Sequence, residues 1–238
     1  LSLHDALPIL IQGLMNTHKI AVAVDGPAGA GKSSISKIVA KKLGYLYIDT
    51  GAMYRSVTWA VLHNHIDVNN QKAVEALLPE LDLTMEASDD SCKVFIAGQD
   101  VTDFIRTPQV NNAVSIVASY KGVRQYLVER QRLMAEAGGV ILDGRDIGSV
   151  VLPNAELKIY LTASVEARAM RRYLEVKGTV NEQTLEDIKD SVMQRDDMDK
   201  NRKESPLIQV EDAVLVDSSE MTFDETVEHI LHLVQERI

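Results

Sequence analysis

The chain has 238 residues, of which 45% are hydrophobic and 25% charged, and its formal net charge is -10. This composition is typical of a globular protein with a sizeable core, and it excludes the disordered and fibrous classes. The acidic balance argues against extended nucleic acid as a partner, because proteins that neutralise many phosphates usually carry a basic surface.

The chain carries few signals of secretion or membrane insertion. Cys92 is the single cysteine, which excludes an intramolecular disulfide and a cysteine zinc cluster. No apolar run reaches the ~20 residues that a spanning helix needs. We therefore expect a cytoplasmic protein that does not bind membranes, and a monomer, because no large apolar interface stripe is evident. Residues 1–14 lack both a methionine and the basic start of a signal peptide, so we expect a non-native tail and a natural start at Met15.

The first predicted elements are a strand at 20–24, a glycine-rich loop, a helix at 34–43 that Gly44 ends, and a strand at 45–48. Strand, helix and strand in this order predict a βαβ unit with a right-handed crossover. The fold class is therefore α/β with a parallel sheet.

The pattern changes to alternating apolar residues between 81 and 101, with a polar turn at 88–91, which predicts a small antiparallel insert. Helices are predicted at 103–118 and 123–137, and buried strands at 140–142 and 157–161.

The last part of the chain predicts two helices, a strand and a closing helix. The helices cover 164–177, ended by Gly178, and 184–203, which is polar almost all round. A strand follows at 213–216, and Thr222 with Glu225 predicts a capping box for a helix that continues through Val234.

The loop after the first strand matches the pattern G-x-x-x-x-G-K-[ST] at every fixed position. Its residues, which we predict to bind ATP together with Ser34, are Gly26, Pro27, Ala28, Gly29, Ala30, Gly31, Lys32 and Ser33. Backbone N–H groups of such a loop and the following helix N-terminus cradle phosphates. Lys32 would reach the β and γ phosphates, and the Ser33 hydroxyl would bind Mg²⁺. The alternative is a glycine-rich turn that binds nothing, but the strand-to-helix context disfavours it.

Asp143 follows the apolar run 140–142, so it is predicted at the carboxyl end of a parallel strand, on the same edge as the phosphate loop. A carboxylate there could act at the Mg²⁺ ion or its waters. It could equally be an ordinary turn residue.

Several arginines fall where strands end or share one helix face. Arg55 and Arg145 follow predicted strands, and Arg195, Asp199 and Arg202 are spaced i, i+4, i+7 on the late helix. Each alone could be a solvated surface charge. Together they suggest a cleft that gathers two anionic ligands, and hence a phosphoryl acceptor beside ATP.

Four segments carry a resemblance to a known family. They are 25–34, 49–55, 143–148 and the Arg195-Asp196-Asp197 segment with Asn201-Arg202. In order and spacing they resemble bacterial cytidylate kinases, from about residue 19 to the C-terminus. The resemblance implies a P-loop nucleoside monophosphate kinase fold: a core at 15–65 and 120–238, a monophosphate-binding insert at 66–119, and a helical lid at about 172–205.

The resemblance also implies a reaction and a set of site residues. ATP would phosphorylate CMP and dCMP with Mg²⁺, and Arg171 or Arg172 would close over ATP. The residues implied by the resemblance are Ser115, Arg124 and Asp146 for the cytosine, Arg195 and Asp199 for the ribose, and Thr50, Tyr54, Arg55, Arg145 and Arg202 for the acceptor phosphate and its surroundings. The residues expected to act in catalysis are Lys32, Asp143, Arg145 and Arg202. Ser115 could equally be a packing serine.

The base assignment has a chemical reason. Cytosine offers a 4-amino donor beside two acceptors, so a carboxylate can accept from it while arginine and serine donate. Uracil would face Asp146 with a carbonyl oxygen instead.

Other functions stay open at this point. One is a kinase for another monophosphate or for a metabolite such as shikimate. A second is a nucleotide switch, although the chain lacks the N-K-x-D motif that reads guanine. A third is a structural protein with a fortuitous loop.

Overall fold

The computed structural model describes residues 19–87, 92–179 and 182–238. The tail at 1–14, the expected start at Met15 and the predicted turn at 88–91 lie outside the described residues. Within these ranges, none of the helices is both long and apolar enough to cross a membrane.

A five-stranded parallel sheet forms the centre of the protein. Its strands are β1 (Ala21–Asp25), β2 (Leu46–Asp49), β6 (Val140–Gly144), β7 (Leu157–Thr162) and β8 (Val214–Asp217). The order across the sheet is β2-β6-β1-β7-β8, and every neighbouring pair is parallel. The predicted α/β class is confirmed. β1 and β2 both pair with β6, so the first βαβ crossover passes over one strand.

A second, smaller sheet is antiparallel, as the alternating pattern predicted. It consists of β3 (Leu83–Ala87), β4 (Cys92–Ile96) and β5 (Gln99–Asp100), in that order. The division of the chain into core and insert stays a prediction.

Helices cover both faces of the central sheet. They are α1 (Lys32–Leu43), α2 (Thr50–His63), α3 (Gln71–Leu77), α4 (Pro108–Val117), α5 (Lys121–Ala135), α6 (Val165–Val176), α7 (Leu185–Asn201) and α8 (Phe223–Gln235). Gly44 ends α1 in the left-handed conformation, and Thr222 with Glu225 forms the predicted capping box of α8.

Alternate residues of each buried strand face two separate hydrophobic clusters. In β1, Ala23 joins the cluster that includes residues of α2 and α5, whereas Val22 and Val24 join the one with α1 and α8. β6 alternates in the same way, with Leu142 on the first face and Ile141 on the second. Because both faces are covered, these strands are apolar throughout, and only their carboxyl ends are available for polar chemistry.

Several helix predictions were incomplete. The helix predicted at 103–118 begins only at Pro108, because the Thr107 side chain caps it and proline suits the first helical position. α2, α3 and the short π-helix Ile147–Val151 were not predicted. α2 was missed because Asp49 ends β2 and also caps the helix, accepting from Ala52 N, which leaves no loop between them.

Candidate active site

The phosphate loop connects β1 to α1 and passes very close to β7. A Cβ atom on Gly26 would lie 1.9 Å from the carbonyl oxygen of Leu161, so no side chain fits there. Gly31 has φ 87° at the N-cap of α1, a conformation that favours glycine. The backbone of the loop therefore leads directly into the N-terminus of α1, where N–H groups that have no partner within the helix attract phosphate.

Lys32 lies across this loop. Its side chain is buried, and Nζ donates to the carbonyl oxygens of Gly26 and Pro27, both at 2.8 Å. Burial lowers the pKa of Lys32, the nearby Arg145 lowers it further, and Asp143 and Asp25 oppose the shift. The ammonium thus contacts the loop carbonyls and is close enough to Arg145 to be affected by its charge.

Asp143 connects the loop to the end of β6. Its Oδ2 accepts from Ser33 Oγ at 2.8 Å, and its Oδ1 accepts from Tyr47 Oη at 2.7 Å. Burial and the neighbouring Asp49 raise the pKa of Asp143, while Lys32 and these two hydrogen bonds lower it. Burial also raises the pKa of Tyr47, with the negative charge of Asp143 as the next cause, so the phenol stays a proton donor.

A serine hydroxyl beside a carboxylate fits Mg²⁺, which prefers oxygen ligands and usually shares them with substrate phosphates and waters. Across 19–87, 92–179 and 182–238, no cluster of three or more His, Cys, Asp or Glu side chains could hold a metal by itself. The donor set thus suits an ion that arrives with a nucleotide.

Asp25, at the end of β1, organises the segment after β6. Its carboxylate oxygens accept from Ile147 N at 2.8 Å and Gly148 N at 2.7 Å. Burial raises the pKa of Asp25 to about 6, although these backbone hydrogen bonds act in the opposite direction. This contact was not predicted, and it fixes the backbone directly after Asp146.

Arg124 on α5 and Asp146 form a buried ion pair. The Arg124 guanidinium lies 5.5 Å from the centre of the Tyr54 ring, and its Nε donates to Ser205 Oγ at 3.2 Å. Arg202 Nη2 lies 3.5 Å from Asp146 Oδ1 but has no hydrogen bond to any described residue. Four residues predicted for the acceptor side therefore meet here, joined by Ser205, which was not predicted.

A second cluster lies at the end of β2. Asp49 Oδ2 accepts from Arg55 Nη2 at 3.0 Å and from Arg106 Nη2 at 2.9 Å. Arg55 Nε is buried without a hydrogen-bond partner among the described residues. The Thr50 hydroxyl donates to the backbone carbonyl of Asp143 at 2.7 Å, which ties the start of α2 to β6.

A third cluster connects α7 with the end of β6. Arg145 Nε donates to Asp199 Oδ2 at 2.7 Å. The pKa of Arg195 is lowered by loss of hydration within the cleft, then by the charges of Arg145 and, more weakly, Arg55, while Asp199 opposes the shift. The helix-face spacing of Arg195, Asp199 and Arg202 thus places all three toward the loops at the sheet edge.

Taken together, these three clusters give a strong positive charge to the region that is predicted to bind the phosphoryl acceptor. Five arginines pair with three aspartates, namely Arg55, Arg106, Arg124, Arg145 and Arg202 with Asp49, Asp146 and Asp199. Arg195 adds a further positive charge close enough for Asp199 to affect its pKa. On a chain of net charge -10, this concentration of cations beside the phosphate loop favours the binding of anions.

Comparison with known proteins identifies the family. The family model described as cytidylate kinase matches residues 22–236. A cytidylate kinase of Bacillus licheniformis is 50% identical over 92% of this chain and 97% of its own length. The chain belongs to the cytidylate kinase family. A cytidylate kinase of Ligilactobacillus salivarius is 48% identical over 92% of this chain and 98% of its own.

Among solved structures, an uncharacterised protein from Eubacterium ventriosum has a TM-score of 0.53 with 12% sequence identity, covering 92% of this chain and 99% of that one. At this identity the likeness shows only the fold.

Two residues assigned by resemblance to cytidylate kinases make no hydrogen bond to the described residues of these three clusters. Arg171 on α6 donates to the Ser218 carbonyl at 2.6 Å, beyond the end of β8. Ser115 is exposed on α4 and makes no hydrogen bond to Arg124 or Asp146, whose contacts are described above. Their roles stay predictions.

One arginine, noted in the sequence only as part of a cluster on its helix and given no site role, joins α6, α7 and the loop. Arg168 is buried and donates to Ala28 O at 3.0 Å, to Ala163 O at 2.9 Å and to both carboxylate oxygens of Asp196. The signal for it was present, since Asp196 lies within the Arg-Asp-Asp segment that resembles the family, but its partner is 28 residues away.

Proposed function

We propose that this protein transfers the γ-phosphoryl group of ATP to CMP and dCMP, giving ADP and CDP or dCDP. Membership of the cytidylate kinase family supports the reaction. The observation that carries it in this chain is the position of Arg145. This residue pairs with Asp199 on the acceptor side, and its charge also acts on Lys32 of the phosphate loop. Donor and acceptor phosphates bound at these two places would be adjacent.

The proposed cytosine site is centred on Arg124 and Asp146. Asp146 would accept from the 4-amino group of the base, while Arg124 would donate to its acceptor atoms. The Tyr54 ring, which lies beside the Arg124 guanidinium, would form an aromatic side of the proposed cytosine site. Ser115 would add a further hydroxyl once the helix that carries it approaches the base. An unpaired buried acceptor costs about 1 to 3 kcal/mol, so uracil would be disfavoured without being excluded.

The ribose and acceptor phosphate would lie between α7 and the strand ends. We assign Arg195 and Asp199 to the ribose hydroxyls. The phosphate is assigned to the cationic groups and hydroxyl around it, namely Thr50, Arg55, Arg145 and Arg202. The buried Arg55 Nε and Arg202 Nη2, neither of which has a hydrogen bond among the described residues, support this assignment.

The ATP phosphates would occupy the loop from Gly26 to Ser33 and Ser34 at the start of α1. Lys32 would exchange its two loop carbonyls for phosphate oxygens, which gives a buried ammonium a full negative partner. Ser33, held by Asp143, would hold Mg²⁺, which neutralises charge on the transferred group when bound. Arg171 would contact ATP from α6.

The chemistry needs no general base, because the attacking phosphate oxygen is already anionic. The residues therefore act by positioning two phosphates and neutralising their charge. Lys32 and Arg145 would both neutralise charge on the transferred group. Closure of the predicted lid, at about 172–205, would exclude water.

Two further expectations belong to this proposal. We place the protein in the cytoplasm, where a lone cysteine stays reduced. We also propose that it acts as a monomer, since each part of the site described above comes from one chain.

The test is ADP production by the purified protein with ATP and Mg²⁺ against CMP, dCMP, UMP, AMP and no acceptor. Turnover confined largely to CMP and dCMP supports the proposal. A preference for UMP or AMP overturns the substrate assignment, and hydrolysis without any acceptor overturns the kinase assignment.

A further inference from the structure

Tyr47 is a side chain of the donor site that the proposed function has not used. It lies on β2, the edge strand beside β6, two residues before Asp49, which is opposite Asp143 in the register of the two strands. Alternate residues of a strand share one face, so Tyr47 and Asp143 lie on the same side of the sheet. On that side Tyr47 packs against the hydrophobic cluster that includes residues of α1. Its hydroxyl therefore approaches the carboxylate from the sheet, while Ser33 approaches it from the helix.

The two oxygens of the Asp143 carboxylate have one donor each. Ser33 Oγ donates to Oδ2 at 2.8 Å, and Tyr47 Oη donates to Oδ1 at 2.7 Å. Within the described ranges, these two side chains are the hydrogen-bond donors to this carboxylate. Asp143 is only 4% exposed, so water has little access to replace a donor that is lost.

The hydrogen bond from Ser33 decides what its oxygen can bind. A hydroxyl has one proton and two lone pairs, so a proton directed at Asp143 leaves the lone pairs for a cation. The direction of this proton depends on the orientation of the carboxylate. Because the last torsion of an aspartate has a broad distribution, one donor does not define that orientation, whereas a second donor at Oδ1 does.

We propose that Tyr47 is a positioning residue of the donor site, which fixes the Asp143 carboxylate so that the Ser33 oxygen is available to the metal ion that accompanies the nucleotide. This inference rests on the proposed function, because it concerns the Mg²⁺ ion at the same phosphate loop. Neither the loop pattern nor the family resemblance gave Tyr47 a role. Hydrogen-bond partners that orient the ligands of a metal typically contribute about 10- to 100-fold to its affinity.

The test measures metal affinity directly and does not depend on turnover. Mn²⁺ is the probe, because its free concentration can be read from its electron paramagnetic resonance signal, and the protein is kept in excess over ADP. Tyr47→Phe, which removes only the hydroxyl, should raise the dissociation constant of Mn²⁺ from the protein–ADP complex by about 10- to 100-fold. Binding of ADP in EDTA and of CMP alone, both measured by calorimetry, should stay within about twofold of the wild type, because neither involves the metal.

Tyr45→Phe is the matched control. Tyr45 is also half-buried and lies two residues earlier, but its Oη accepts from Ile20 N at 3.2 Å, just before β1 and away from the phosphate loop. This variant should leave the Mn²⁺ constant unchanged.

The proposal is overturned if the two variants have the same Mn²⁺ constant. It is also overturned if Tyr47→Phe weakens ADP in EDTA as much as it weakens Mn²⁺, because Tyr47 would then support the loop as a whole. If instead the wild-type ADP complex did not bind Mn²⁺ at all, the donor site of the proposed function would itself fail, and the wild-type titration alone would show this.

Discussion

The buried pair between Arg168 and Asp196 should contribute far more to stability than an exposed pair on the same helix. The side chains of Arg168 and Asp196 are 3% and 11% exposed, and Arg168 also donates to the carbonyls of Ala28 and Ala163. Arg168→Ala leaves a buried carboxylate and two carbonyls without their donor. We expect a loss of about 3 to 5 kcal/mol, because removal of one partner leaves an uncompensated buried charge.

The control lies one turn away on α6. Arg172 and Glu175 form an ion pair in which the side chains are 60% and 62% exposed. Arg172→Ala should therefore cost only about 0 to 1 kcal/mol. For a chain of this length, 1 kcal/mol shifts the unfolding midpoint by about 2 to 4 °C, so we expect losses of roughly 6 to 20 °C for Arg168→Ala and at most about 4 °C for Arg172→Ala.

Thermal unfolding followed by circular dichroism measures both variants under one condition. A double variant provides an additional test of the same argument. Adding Asp196→Ala to Arg168→Ala should cause little further loss of stability or recover some of it, because it removes the buried carboxylate that Arg168→Ala leaves unpaired. Equal midpoints for the Arg168 and Arg172 variants would refute the reasoning, and so would a further large loss in the double variant.

Three other predictions concern the donor loop, the base site and pH. Lys32→Ala should abolish turnover while CMP binding, measured by calorimetry, largely survives; equal loss of both would show that the change disrupts more than the donor site. Asp146→Asn should shrink the preference for CMP over UMP in kcat/KM by about tenfold or more, because an amide can donate to the uracil carbonyl, and an unchanged ratio would remove Asp146 from base recognition. The folded-state pKa of Asp25, about 6, lies above its ordinary value of 3.8, so its stabilising contribution is complete below pH 3.8 and is lost as pH rises through 6. Between pH 4 and 7 the wild type should thus lose about 2 kcal/mol more unfolding free energy than Asp25→Asn, and parallel curves in urea unfolding would contradict this.

The parts of the site that could be predicted are those that depend on residues close together in the sequence or on the geometry of a single helix or strand. The phosphate loop is contiguous, so Lys32 and Ser33 could be assigned from the pattern alone. Asp143 could be placed because parallel strands all end at one edge of a sheet. The i, i+4, i+7 spacing of Arg195, Asp199 and Arg202 needed only helical geometry.

The parts that were missed depend on which strands are neighbours. Tyr47 reaches Asp143 because β2 pairs with one edge of β6. Asp25 reaches the backbone of Ile147 and Gly148, which follow β6, because β1 pairs with the opposite edge of β6. Residue propensities give no strand order, so contacts between residues about 100 positions apart could not be derived from them. Arg106 was missed because its region was predicted as helix, whereas the helix begins after it at Pro108.

The most direct test of the account is the stoichiometry of the products. ATP, Mg²⁺ and CMP are incubated with the purified protein, and nucleotides are separated by ion-exchange chromatography at several times. The account predicts one CDP for every ADP at each time, and no ADP when CMP is omitted. ADP that accumulates without an equal amount of CDP would contradict it, because the phosphoryl group would then be passing to water or to another acceptor.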